Sequence, residues 1–133
     1  ELCKAAGAKR ALLLPMSVPA HSALMRPAAE RFGAVLATAP MQPPKFTYWS
    51  PVDSAAHSTV ADIRALLTRQ LASPVRWTSL VRALVAAGAT AFVECGPGKV
   101  LTGLNRRIEK RPDLQCLALQ DPAAVDAALA LKD

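Results

Sequence analysis

Apolar positions along the chain fall into short runs and helix-spaced stripes, in alternation. Ala8 to Leu14 is an apolar run entered by Lys9 and Arg10 and closed by Pro15, the pattern of a buried strand. Pro15-Met16-Ser17-Val18-Pro19 follows as a rigid connection, because its two prolines fix φ and remove backbone donors. From Ala23 onward, Met25, Ala28, Ala29, Phe32, Val35 and Leu36 recur at spacings of three and four. This predicts an amphipathic helix ending near Thr38, with Ser22 as its cap. The Pro-rich stretch Ala39 to Pro44 is a loop, Lys45 to Trp49 a strand candidate closed by Ser50-Pro51, and Asp53 to Ser58 a polar loop.

Helical spacing resumes after Thr59 with Ile63, Leu66, Leu67 and Gln70 or Leu71, and Ser73-Pro74 breaks it. Trp77, Leu80, Val81, Leu84 and Val85 form the clearest stripe, which stops at Gly88, a residue suited to the left-handed position just past a helix. Thr90 to Cys95 is a short β-rich run, hence a buried strand with Cys95 as a small core residue. Gly96-Pro97-Gly98 turns the chain into a helix from about Lys99, with Leu101, Leu104 and Ile108 on one side. Leu114 to Leu119 is a last strand, and Asp121-Pro122 opens a last helix, with Asp as N-cap and Pro in the first turn. The order strand, helix, strand, helix, helix, strand, helix, strand, helix predicts an α/β layer structure.

Size and composition narrow this. A chain of 133 residues allows one domain or less, and a hydrophobic share of 52% supports a core rather than disorder. No apolar run reaches the ~18 residues of a membrane span, and no signal-peptide pattern opens the chain. The first residue is not Met, and Glu1 to Gly7 reads as the last turn of a helix, so the expectation is a portion of a longer protein. Cys3, Cys95 and Cys116 are odd in number and far apart, which argues for reduced thiols in a cytoplasmic protein and against a disulfide scaffold or a zinc site.

The net charge of +6 makes nucleic acid the first partner to consider, yet three Phe, two Trp and one Tyr, not interleaved with the basic residues, supply no base-stacking platform. The densest positive stretch runs from Lys99 to Arg111 and holds Arg106, Arg107 and Lys110. It reads as a solvated helix face or as a docking face for an acidic partner.

Candidate chemistry is sparse. His57 lies in a polar segment and reads as a solvated loop residue. His21 is placed beyond a predicted strand, at the edge of the long helix, where sites form in open α/β sheets and where an imidazole can take a proton. Gly96-Pro97-Gly98-Lys99 fails the phosphate-loop pattern, since the loop is too short and Val100 follows the lysine, although the helix start there still offers amides to an anion. No Gly-x-Ser-x-Gly and no spaced carboxylate pair occur, so the chain offers a candidate base and no nucleophile.

A resemblance organises these residues. Gly7-Ala8-Lys9-Arg10-Ala11-Leu12 leading to Ser17-Val18-Pro19-Ala20-His21-Ser22-Ala23-Leu24-Met25 resembles the catalytic-histidine segment of bacterial malonyl-CoA:acyl carrier protein transacylases. Arg69 to Trp77, Val93 to Leu104, and the tail strand and helix to Asp133 agree in order and spacing. The acyltransferase domains of polyketide and fatty-acid synthases are similar in the same blocks. The resemblance implies an α/β-hydrolase-like large subdomain carrying an inserted ferredoxin-like small one. Residues 1–17 would be the end of the small subdomain and the return crossing, and residues 18–133 the C-terminal part of the large one.

It also implies roles. His21 matches the general base, oriented by the backbone carbonyl of Gln70, and Ala20 matches a position lining the acyl pocket. The family's serine elbow (Gly-His-Ser-Leu-Gly), its oxyanion-hole Gln and its carboxylate-binding Arg have no counterpart in these residues. The implied reaction is malonyl transfer from the coenzyme A thioester, as substrate, to the phosphopantetheine thiol of acyl carrier protein, with no permanently bound cofactor and no metal. Relatives commonly carry Asn where this chain has Pro51. Arg106, Arg107 and Lys110 become docking candidates for the acidic carrier protein. The competing reading is a non-catalytic α/β module that binds an acidic partner.

Overall fold

A computed structural model describes residues 1–13 and 15–131. The chain forms two layers of contacts joined through a small hairpin. The first is a pair of antiparallel helices, α2 (Arg26–Thr38) and α3 (Val60–Gln70), which bury Ala29, Ile63 and Leu66 between them. A 3-10 turn at Ala23–Met25 feeds α2, and Pro27 stands in its first turn, where a missing N–H costs nothing. Thr59 caps α3: its Oγ accepts from the Asp62 amide at 3.1 Å and donates to the Asp62 carboxylate at 2.6 Å. Gly33 of α2 lies so close to Thr68 that an added Cβ would stand 3.0 Å from its methyl group, which fixes how near the helices come.

Between these helices, β1 (Tyr48–Trp49) and β2 (Ala56–His57) pair antiparallel, Tyr48 opposite His57 and Trp49 opposite Ala56. Only two residues of the expected strand Lys45 to Trp49 are extended in a ladder, and the segment read as a polar loop contains the partner strand. Ser50 explains the closure. It is fully buried, its amide donates to the Ala55 carbonyl, its carbonyl accepts from Ser54, and its hydroxyl accepts from the Val52 amide. Alternating hydrophobicity carries no trace of such a side-chain-organised turn.

The second layer is a βαβ unit flanked by helices. Strands β3 (Ala91–Glu94) and β4 (Gln115–Ala118) run parallel, in register from Ala91 opposite Gln115 to Glu94 opposite Ala118. Helix α5 (Val100–Ile108) connects and covers them, α4 (Trp77–Ala86) packs on α5, and α6 (Pro122–Leu129) packs on β4. Leu80 and Val81 are buried as the stripe predicts. Gly88 takes φ +99°, and the amides of Gly88 and Ala89 return to the carbonyls of Val85 and Leu84, a Schellman end. Asp121 accepts from the Ala124 amide at 2.8 Å, the expected cap. α5 departs from its apolar pattern: the buried residues are Thr102 and Asn105, while Leu101 is exposed. Both are buried because both are bonded. Trp77 Nε1 donates to Asn105 Oδ1 at 2.9 Å, and the Thr102 hydroxyl stands 2.7 Å from Glu94 Oε2 and 3.1 Å from the Leu117 carbonyl.

Three further expectations fail. Residues 8–13 form no strand and Leu13 is fully exposed, because no described strand offers them an edge; Leu14 of that run lies outside the described residues. Cys95 is exposed, since β3 ends one residue earlier, at Glu94. Ser22 does not cap the helix through its side chain. The expected helical turn at the start is present as α1 (Leu2–Ala5), closed by Gly7 at φ +89°.

Glu94 governs the start of α5. Its carboxylate accepts from the amides of Thr102 (2.7 Å) and Leu101 (3.2 Å). The Thr102 amide, then its hydroxyl, hold that carboxyl below its usual range, against a smaller opposing effect of burial. The charged form is the one bound, so its contribution is complete above the unfolded carboxylate value and disappears as pH falls through the lower folded value. Glu94→Gln is therefore expected to lower Tm at pH 7, with the gap to wild type closing between about pH 5 and pH 3. Thermal melts at both ends of that window check it, and a gap undiminished at the acid end overturns it.

Candidate functional site

His21 stands on the connection into α2, and the end of α3 holds it. Its backbone amide donates to the Leu71 carbonyl at 3.0 Å, and its Nδ1 lies 2.8 Å from the Gln70 carbonyl oxygen. A helix leaves its last carbonyls without intrahelical donors. Here one residue from elsewhere in the chain satisfies two of them. The ring bond also sets the tautomer: a carbonyl can only accept, so Nδ1 carries the hydrogen and Nε2 of the neutral ring keeps its lone pair. The residue is exposed, so that nitrogen is accessible to a second molecule or segment.

The backbone conformation of His21 is unusual. It takes φ +62°, the left-handed region that a side chain with a Cβ rarely adopts. The Leu71 bond compensates for that conformation, and the turn from Pro19 to Ser22 encloses it, with the Ser22 hydroxyl donating to the Pro19 carbonyl at 2.7 Å. No strand precedes His21 among the described residues, so the expected position beyond a strand end is corrected: the anchor is the C-terminus of α3.

The other predicted residues sit as follows. Gln70 meets His21 through its backbone, as described. Ala20, directly before His21, is exposed. Arg106 is exposed but donates to the Cys116 carbonyl of β4 at 2.7 Å, and Arg107 donates within α5 to the Gly103 carbonyl at 3.0 Å. Lys110 is exposed beyond the helix end. These three lie on α5 and its exit, and no hydrogen bond joins them to the His21 clamp. The Pro51 carbonyl accepts from the Arg76 amide at 2.9 Å and ties the hairpin to the start of α4.

His57 is corrected from a solvated loop residue to a paired one. Its Nε2 lies 3.1 and 3.3 Å from the two Asp53 oxygens, and both side chains are largely covered. Burial alone would raise the Asp53 carboxyl; the bonds from His57 and the Ala55 amide, with the nearby charges of His57 and Arg69, outweigh it and hold the group below its usual value. Asp53, His57, Asp62 and Arg69 together line a cleft of about 250 Å³. No group of three or more His, Cys, Asp or Glu able to hold a metal occurs among the described residues. The start of α5 is closed to an external anion, because Glu94 already fills it. Neither Glu94 nor Ser22 was assigned its role from the pattern. An acid at a strand end ahead of a Gly-Pro-Gly turn was the available signal for the first.

No family model matches the chain. Its homologues define a class first: they are acyltransferases. More particularly, proteins named malonyl CoA-acyl carrier protein transacylase cover it at 32–49% identity, and it matches their C-terminal portion. The protein of that name from Salmonella typhimurium is 49% identical over 127 residues, which is 96% of this chain and 40% of that protein. Among solved structures, the acyl-carrier-protein S-malonyltransferase of Burkholderia pseudomallei 1710b superposes with a TM-score of 0.87 at 43% identity, over 98% of this chain and 42% of that one. A malonyl-transacylase in complex with a type II polyketide-synthase acyl carrier protein gives 0.88 at 44% identity, over 98% and 41%. The chain thus spans about 40% of the length of the curated relatives it matches.

Proposed function

We propose that these residues supply the general base of a malonyl-CoA:acyl carrier protein transacylase. The observation that carries this reading is the 2.8 Å bond between His21 Nδ1 and the Gln70 carbonyl, formed by the two residues that match the family's base and its orienting group. The nucleophilic serine, the oxyanion donors and the arginine for the malonyl carboxylate would come from polypeptide with no counterpart among these residues. The finer architecture belongs to the same proposal: residues 1–17 as the end of a ferredoxin-like subdomain, residues 18–133 as the C-terminal part of an α/β-hydrolase-like one. So does a cytoplasmic location. The structural neighbour carrying a polyketide carrier protein favours one second reading, in which the acceptor belongs to polyketide rather than fatty-acid synthesis.

The chemistry follows from the fixed tautomer. Nε2 takes the serine proton as the oxygen attacks the malonyl thioester carbonyl, and returns it to the departing coenzyme A thiol. In the second half it takes the proton of the carrier's phosphopantetheine thiol, whose sulfur attacks the malonyl-serine ester, and gives it back to the serine. Throughout, the Nδ1–H bond to Gln70 keeps the ring from turning. A carbonyl does here part of what a carboxylate does in many serine enzymes: it fixes the tautomer and the orientation of the ring. Ala20 is small and leaves room beside the base. The excess positive charge of the chain suits an acidic carrier and a phosphate-bearing donor.

In the complete polypeptide, His21→Ala should reduce malonyl transfer by about 10²–10⁴-fold, the usual worth of an acid–base group; a rate near wild type removes His21 from the site. Residues 1–133 alone should transfer no malonyl group from malonyl-CoA, and turnover by the purified chain would refute the division of labour. Arg107→Glu with Lys110→Glu should raise the KM for carrier protein more than that for malonyl-CoA, a comparison that spares Arg106 and its bond to β4. Equal effects on both substrates would make that face solvated surface.

A further inference from the structure

Ser22 fits helix capping by sequence, yet its side chain points the other way. Its Oγ donates to the Pro19 carbonyl at 2.7 Å, while its own carbonyl accepts the Met25 amide that opens the 3-10 turn. The hydroxyl bond therefore spans Ala20 and His21 and closes the turn in which His21 takes φ +62°. Such a conformation persists only where its surroundings determine it. Two constraints do so on opposite sides of the residue: the Leu71 carbonyl takes the His21 amide from α3, and Ser22 ties the chain after His21 to the chain before it. Remove the second, and the backbone can relax toward negative φ. That rotation swings the ring away from the Gln70 carbonyl, which stays in place at the end of α3.

We propose that Ser22 is a positioning residue for His21, its hydroxyl locking the left-handed turn that presents the ring to the Gln70 carbonyl. The proposal rests on the reading of His21 as the general base. Ser22 touches no substrate in this scheme and acts only through the histidine.

The test uses the complete polypeptide and four variants: Ser22→Ala, Ser22→Thr, Ser22→Cys and His21→Ala. Ser22 has an extended backbone (φ −128°, ψ 165°), which a β-branched residue accepts, so threonine keeps the donor at little cost. Ser22→Ala is expected to lower kcat for malonyl transfer about tenfold, with KM for malonyl-CoA changed less than twofold, as befits a lost orientation rather than lost binding. Ser22→Thr should recover at least half of the wild-type kcat, and Ser22→Cys, a weak donor of similar size, should fall between. The ¹⁵N signals of the His21 ring should report the Nδ1–H tautomer in wild type and Ser22→Thr and a mixed tautomer in Ser22→Ala. If Ser22→Ala keeps full kcat and tautomer while His21→Ala abolishes transfer, the positioning role is wrong and the site reading stands. If Ser22→Thr falls as far as Ser22→Ala, the hydroxyl is not responsible and the proposal is overturned. Should Ser22→Ala fail to fold, the ranking of Thr above Cys decides the matter, and its reversal refutes the idea. If His21→Ala transfers normally, the underlying reading fails first.

Discussion

The end of α3 is the constraint on which the rest of the first layer depends. Its last carbonyls face out of the helix, and whatever satisfies them is fixed in space by a rigid element. In this chain two of the donors are on His21, one from the backbone and one from the ring, beside the local amides of Ala72 and Ser73. The opposite end of the helix pair is tied in the same manner: the Arg64 guanidinium of α3 donates to the carbonyl of Ala39, the residue that ends α2. α3 thus closes the C-terminus of α2, while its own C-terminus is closed by the segment that leads into α2. Between the two ties, the close approach at Gly33 and Thr68 leaves little freedom to slide. A candidate base set on a loop is thereby held by the end of α3, whose own position the packing against α2 fixes.

The second layer solves a different problem with the same economy. A parallel pair of short strands needs a covering helix, and α5 lies across β3 and β4 with two polar residues as its fully buried contacts. Thr102 and Asn105 are buried only because Glu94, the Leu117 carbonyl and Trp77 satisfy them. That polar interior draws charge inward at one end, where Glu94 fills the helix start, and Arg106 is drawn against the Cys116 carbonyl at the other. Of the basic residues on this face, Arg107 and Lys110 keep charge that no strand carbonyl holds. The net charge of +6 is therefore a poor measure of what the surface offers a partner.

Helices with an apolar stripe and a well-formed end were legible from sequence, because periodicity, Thr59, Gly88 and Asp121 act locally. The parallel strands β3 and β4 were legible as β-rich runs between turns, to within a residue or two at each end. What escaped the sequence depends on partners distant in the chain or on side-chain bonds with no periodic signature. The hairpin hidden in a polar stretch is organised by Ser50, His57 is claimed by Asp53, and α5 buries two polar residues. The juxtaposition of His21 with Gln70 spans 49 positions and came into view only through resemblance to a family, never through spacing.

The misread run at residues 8–13 bears most on function. Its apolar side chains are real, but nothing described here buries them: Leu12 is 67% and Leu13 101% exposed, and Leu24, just past His21, is 77% exposed. Burying one such side chain is worth roughly 1.5–3 kcal/mol. Together they flank the histidine in sequence on both sides. Under the proposed function, the polypeptide bearing the serine must approach Nε2 within hydrogen-bonding reach, and these leucines lie close in the chain to the base it must approach. Apolar contact there would bring the nucleophile to the base and exclude water from both. The same leucines that fail as a strand in these residues would then supply part of the energy that completes the site, and the carbonyl clamp on His21 would be formed before that contact is made.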